Sequence, residues 1–172
     1  MTNPETQLAG YFAKYESERA KLGMALRAKL RARLPGLFEI VYFYETQYNL
    51  VVSYSPTEHG YEGLCSFALR PNKLHLYFTK GAQLSKSDPN KLLQGAGTGV
   101  RHIVLNSIAD YDRPEIEVLM AAALKLAKVR LDPAAKGSII IKAEEQKQRA
   151  ARAAKAARPA SKSRTAKAET DS

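Results

Sequence analysis

Between residues 37 and 80 the chain alternates apolar and polar positions with a period of two, and stretches with helical spacing flank it on both sides. Phe38, Ile40, Tyr42 and Tyr44 interleave with Leu37, Glu39, Val41, Phe43 and Glu45, the alternation of a strand. After Thr46 and Gln47, a second strand puts Tyr48, Leu50, Val52 and Tyr54 on one face, with Asn49, Ser53 and Ser55 on the other. Pairing Tyr44 with Tyr48 and Tyr42 with Leu50 joins the two aromatic rows, whereas a slip of one residue buries Asn49 and Ser53. Residues 64–70 and 73–79 read as two more strands joined by Pro71-Asn72, a turn pair with the proline φ already set. That turn pairs Cys65 with Phe78, Phe67 with Leu76 and Leu69 with Leu74, and leaves Ser66, Ala68, Arg70, His75 and Tyr77 on a mixed opposite face. One dry face and one mixed face predict an antiparallel sheet covered by helices on one side.

The flanking helices announce themselves by their ends. Asn3-Pro4 is a capping side chain followed by a proline at the first helical position. Leu8, Tyr11, Phe12 and Tyr15 form a short apolar stripe; Ser17 restarts a helix that runs to Leu34 and stops at Pro35-Gly36. Leu22, Leu26, Leu30 and Leu34 recur every fourth residue and form its packing face. Lys21, Arg27, Lys29, Arg31 and Arg33 cover the remainder, a solvated face in preference to a phosphate-binding patch. Towards the other end, Asp112 and Glu115 suggest a capping box. Ile116, Leu119, Met120, Ala123 and Ala127 then stripe a helix that reaches about Arg130, and Ile139-Ile140-Ile141 is strand-prone enough for a short edge strand.

The connection between these halves carries the candidate chemistry. Asp88-Pro89 predicts a short helix over 90–94 ended by Gly95, and the glycine-rich run to His102 leads into a fifth strand, 103–105. Three close glycines, Gly95, Gly97 and Gly99, imply tight turns or close approach to a ligand. The order helix, loop, strand is the reverse of a phosphate-binding loop, and Val100 stands where a dinucleotide fingerprint needs glycine, so a nucleotide fold is rejected. Gly95, Gly97, Gly99, Arg101 and His102 are retained as the candidate ligand-binding set, with Arg101 and His102 as anion contacts. In the loop between the second and third strands, Glu58, His59 and Glu62 could serve a hard metal, but no further ligand stands at a suitable spacing. A polar hairpin loop is the expected reading there, and no metal ligand or cofactor is assigned.

Charge changes the picture only when it is divided by position. The net charge is +10; residues 142–172 hold nine Lys/Arg against four Asp/Glu, and residues 1–141 hold eighteen against thirteen, so each part carries +5. The tail has nothing to bury and is expected to be disordered. Its cations, among them Arg149, Arg152, Lys155, Arg158, Lys162, Arg164 and Lys167, could displace counterions from nucleic acid non-specifically. A single Cys65 rules out an internal disulfide, and no segment reads as a membrane span or signal peptide, so the expectation is a cytoplasmic protein. No poised nucleophile or acid/base pair is evident, and His75 and His102 have no carboxylate placed near them by sequence; the domain is expected to be non-catalytic.

A helix ending at Leu34-Pro35, an aromatic strand pair, a Lys-Leu-His-Leu-Tyr-Phe strand, and Leu92-Leu93-Gln94-Gly95-Ala96-Gly97 leading to Val100-Arg101-His102-Ile103 together resemble the YdhG-like domain family, largely domains of unknown function. The likeness covers about residues 8–141, is most specific over 92–105, and extends to Lys136-Gly137 and Ile141-Lys142. It implies an α+β domain with a frataxin-like fold, an antiparallel sheet of about five strands with N- and C-terminal helices packed on one face. It also implies an iron-chaperone alternative. That role rests on carboxylates clustered on the first helix and edge strand, where this chain offers five cations on the helix and only Glu16, Glu18, Glu39 and Glu45. The leading expectation is a binding module, residues 1–141, for a small anionic ligand or a protein partner. Nucleic-acid association through the 142–172 tail is the second.

Overall fold

Asn3 begins the first helix as its position suggests: its side-chain oxygen accepts from the Glu5 amide at 2.8 Å, and Pro4 opens α1 (Pro4–Phe12). This computed structural model describes residues 3–142. By its internal contacts the chain divides into Met1–Ile141 and Lys142–Ser172. The expected tail and its seven candidate cations therefore lie outside the described residues. α2 (Ser17–Arg33) follows, buries Ala20, Gly23, Leu26 and Leu30, and ends before Pro35 and a left-handed Gly36. Between the two helices Tyr15 is buried, with its hydroxyl 2.8 Å or less from the carbonyl oxygens of Tyr48 and Leu69. Burial pushes its phenol up to about 12.

Four strands then form a meander: β1 (Phe38–Tyr44), β2 (Asn49–Ser55), β3 (Cys65–Leu69) and β4 (Leu74–Phe78). The β3–β4 register is the one Pro71-Asn72 implies, with Cys65 opposite Phe78, Phe67 opposite Leu76 and Leu69 opposite Leu74. The first hairpin differs by one residue. Tyr44 pairs with Asn49 and Phe43 with Leu50, because Glu45–Gln47 forms a 3-10 turn and Tyr48 closes it in the left-handed region at φ 44°. Tyr48 thus belongs to the turn and leaves the strand. As a result Glu39, Val41 and Phe43, rather than Ile40 and Tyr42, share a face with Leu50, Val52 and Tyr54.

The slip does bury Asn49 and Ser53, together with Ser55. What makes this tolerable for the serines is the loop after β2, which folds back over them. Ser55 Oγ donates to the His59 carbonyl and accepts from the Thr57 amide, while Gly63 sits against Ser53 and Gly60 against the Tyr42 hydroxyl. Polarity in β2 anchors a loop; it does not mark a wet face.

Beyond β4, residues Gly81–Ser87 form a 3-10 helix, and residues 90–94 are not helical. Asp88 accounts for the difference: its two carboxylate oxygens accept from the Leu92 and Leu93 amides at 2.8 and 2.9 Å. The side chain thereby replaces the turns a helix would have made. β5 (Arg101–Val104) runs antiparallel to β4. The capping box lies one turn earlier than Asp112 and Glu115: Ser107 and Asp110 form it at the start of α3 (Ile108–Tyr111). α4 (Pro114–Ala127) follows and buries Ile116, Leu119, Met120, Ala123 and Leu124.

The fold is α+β, but the expected antiparallel five-stranded sheet is corrected to a mixed, six-stranded one, in which β5-β4-β3-β2-β1 is followed at the edge by β6 (Ile139–Ile141). The isoleucine run forms this strand, parallel to β1. A strand arriving from the C-terminal helix after a crossover reaches β1 in the parallel sense, which a hairpin could not provide. No helix among the described residues is long and apolar enough to cross a membrane.

Candidate functional site

Alternation sorts the strand side chains onto two faces. The inner face is fixed by its helix partners: Tyr11 of α1 stacks on Phe43 with ring centroids 4.8 Å apart, and Arg27 of α2 bonds Glu39. On the outer face, register places Ser53, Ser66, Tyr77 and His102 in one row across β2–β5, and Val51, Ala68, His75 and Val104 in the next. No Asp or Glu occupies an outer-face position on any of the six strands.

Three rings gather at the β4–β5 end of this face. His75 and His102 stack with centroids 4.6 Å apart and planes at 20°. Tyr77 stands 5.4 Å from His102 and 5.7 Å from His75, and its hydroxyl is 3.1 Å from His75 Nδ1. All three side chains are half-buried. Arg70 and Lys73, in the Pro71-Asn72 turn, add two cations to the same end. Burial, then the neighbouring His102, Arg70 and Lys73, hold the His75 imidazole below its ordinary 6.5. Such a neighbourhood repels a metal cation and attracts an anion.

The contrast with α2 gives that statement weight. Each of the five cations read there from sequence has a carboxylate partner. Lys21 meets Glu18 at 3.5 Å, Lys29 meets Asp112 at 2.5 Å and Arg33 meets Glu117 at 2.9 Å. Arg27 and Arg31 both reach Glu5 and Glu39. Those five cations are therefore matched by carboxylates, mostly from other elements, whereas Arg19 of the same helix has none within 4.0 Å among the described residues. Among the described residues, neither Arg70 nor Lys73 has a carboxylate within 4.0 Å.

The glycine-rich segment does something else. Gly95 and Gly97 take φ values of 128° and 96°, which a side chain would strain. The loop so formed wraps Arg101, whose guanidinium donates to the Gly97 carbonyl at 2.7 Å and the Val100 carbonyl at 3.0 Å. Gly99 receives the Ala82 amide on its carbonyl at 2.8 Å. Arg101 and His102 are neighbours on one strand and project to opposite faces, so the structure does not bring them together. His102 joins the outer cluster, and Arg101 ties down the loop. His75, Tyr77, Arg70 and Lys73 were absent from the sequence-derived set. The β3–β4 register could have placed them on one face, but their meeting with His102 needs the β4–β5 register, hidden behind a long connection.

The other candidates have partners of their own. In the 56–63 loop, His59 stacks on Tyr61 at 5.3 Å and Glu62 accepts from the Thr57 hydroxyl. Among the described residues, no three of His, Cys, Asp or Glu come together as a metal-binding group. A cleft of about 400 Å³ opens near the end of α4, walled by Leu64, Phe78, Leu84, Ala123 and Leu126. Its rim carries Glu62 and Lys80, charges of opposite sign that give an anion no net attraction. Cys65 is fully buried and burial pushes its thiol up to about 12, which leaves no thiolate for nucleophilic chemistry. In comparisons with known proteins, no family model, no curated protein and no solved structure matches the chain.

Proposed function

We propose that residues 1–141 form a non-catalytic binding module whose outer sheet face takes a small anionic ligand, or the anionic patch of a protein partner, at the β4–β5 end. One observation carries the reading: among the described residues Arg70 and Lys73 lack carboxylate partners, beside a sheet face whose strand positions carry no Asp or Glu, whereas five of the six α2 cations are ion-paired. The anion sits against Arg70, Lys73 and His75, with His102 and the Tyr77 hydroxyl as further hydrogen-bonding groups. The same proposal groups the domain with the YdhG-like family through the resemblance over residues 92–105. It gives the glycine run the task of building the β5 edge through Arg101.

The test is a titration of the full chain with sodium pyrophosphate, followed through the imidazole proton signals in NMR. The chain has three histidines, so His59→Gln and His75→Gln variants together assign all three signals. Saturable shifts at His75 and His102, with a rise in the His75 pKa, are expected, and Arg70→Gln with Lys73→Gln should remove them. Shifts at His59 alone, or none, would overturn the reading.

A further inference from the structure

The rings are the part of this site that an anion alone does not explain. A phosphate or carboxylate needs donors and positive charge; it gains nothing from three aromatic side chains held within 4.6 to 5.7 Å of one another. The strand opposite them carries the smallest side chains on the face, Ser66 against Tyr77 and Ala68 against His75. Ala68 is buried, so the open surface beside the rings lies at Ser66, and the three rings themselves stay partly exposed. A flat ligand that is also an anion satisfies both halves of the site at once.

We infer that this cluster is a stacking seat for unpaired bases of a single-stranded nucleic acid, with the adjoining phosphates held by Arg70 and Lys73. The inference rests on the anion-binding reading above and specifies its ligand. Bases offer a π face to any ring, and a stacked base contributes about 1–3 kcal/mol. A duplex keeps its bases inside and presents phosphates alone, so the site discriminates between the two forms. An acidic peptide would use the two cations and leave the rings idle. The site is also independent of the basic tail, whose contribution follows phosphate number in single and double strands alike.

The experiment uses the full chain and four probes of stated kind: sodium pyrophosphate, thymidine monophosphate, a fluorescein-labelled twelve-residue oligothymidine, and a twelve-base-pair duplex. With oligothymidine, the His75 and His102 ring protons should move upfield, the ring-current signature of a stacked base. Pyrophosphate should shift them without that signature. Affinity for the single strand should exceed that for the duplex, and Tyr77→Leu or His102→Leu should weaken the single strand about tenfold, one ring's share of the stacking range. Tyr77→Phe, which keeps the ring and loses one hydroxyl, should weaken the single strand less than Tyr77→Leu does, and both leucine variants should weaken duplex binding less than single-strand binding.

Equal affinity for the two forms, or an unchanged single-strand affinity in both leucine variants, would overturn the inference. Where pyrophosphate still moves the two histidines, the anion site survives that failure; where it does not, both readings fall together. Occupancy by thymidine monophosphate as tight per nucleotide as by the oligonucleotide would mean a nucleotide site and would likewise overturn the strand assignment.

Discussion

Arg27 and Glu39 meet in a two-pronged ion pair between α2 and β1, Nε to Oε2 and Nη2 to Oε1, both at 2.9 Å. Glu39 is 4% exposed, and the Tyr54 hydroxyl donates to the same carboxylate at 2.9 Å. Burial, and then the Glu39 charge, push the Tyr54 phenol well up, so it stays a donor. Burial works against the Arg27 charge, but the hydrogen bonds it donates to Glu39 and Glu5 outweigh it and raise its proton affinity. Removing one partner of such a pair strands the other in a poor solvent. Glu39→Gln should cost about 3 kcal/mol, the low end of the usual ~3–5 range because Glu5 remains to hold Arg27. Replacing Arg27 and Glu39 together by methionine should cost less than Glu39→Gln alone. Urea denaturation of the three proteins checks both statements; a double variant less stable than Glu39→Gln would overturn the stranded-charge account.

Cys65 should report unfolding. It is the single cysteine of the chain, fully buried on the inner face of β3, with a thiol pushed up to about 12. At pH 8 that leaves on the order of one thiolate in ten thousand. A disulfide reagent should therefore leave the native protein unlabelled and take up one equivalent in denaturant. Rapid native labelling would mean that the inner face of β3 opens to solvent.

What the chain discloses about itself divides along a physical line. Local signals were legible: the Asn3-Pro4 start, the Pro35-Gly36 stop, the Pro71-Asn72 turn with its register, and the inner leucines Leu26 and Leu30. The first hairpin was misjudged by one residue because its turn depends on Tyr48 adopting a left-handed backbone, which no propensity favours in tyrosine. The sixth strand was visible as isoleucines, but its parallel pairing arises from a long-range return to β1. The outer cluster was half legible. His75 and Tyr77 fall on one face by alternation, whereas the lack of a carboxylate beside Arg70 and Lys73 among the described residues emerges only once those carboxylates have positions.

Gly137 should tolerate no side chain. A Cβ there would run into the Leu37 carbonyl oxygen, a backbone atom that cannot step aside, next to the Glu39 amide that donates to Ser138 at 2.9 Å. Gly137→Ala should loosen β6 and cost about 1–3 kcal/mol. Gly10, in the exposed last turn of α1 with nothing within 4 Å of an added Cβ, makes the opposite prediction: Gly10→Ala should stabilise by up to about 1 kcal/mol. Paired denaturation curves decide, and a neutral Gly137→Ala would mean that β6 is not held against Leu37.

His75 should make the fold less stable as pH falls through the mildly acidic range. Burial comes first among the causes of its lowered pKa, then His102 on β5 and the cations Arg70 and Lys73 of the β3–β4 turn; Tyr77 adds only a hydroxyl. Because the folded pKa lies below the unfolded value near 6.5, the unfolded chain takes up the proton first. The stabilising difference is therefore complete above pH 6.5 and is lost as pH drops towards the folded value. Glu5, whose carboxyl is lowered chiefly by its hydrogen bonds from Arg27, loses its contribution only below its ordinary 4.5, so the window between 4.5 and 6.5 isolates the histidine. Stability measured by urea at several pH values in that window should slope downward with acidity in the native sequence and flatten in His75→Gln. Saturating pyrophosphate should also flatten it, since a bound anion lifts the His75 pKa back towards the unfolded value. An unchanged slope in His75→Gln would place the titrating group elsewhere and remove the electrostatic picture of the outer face.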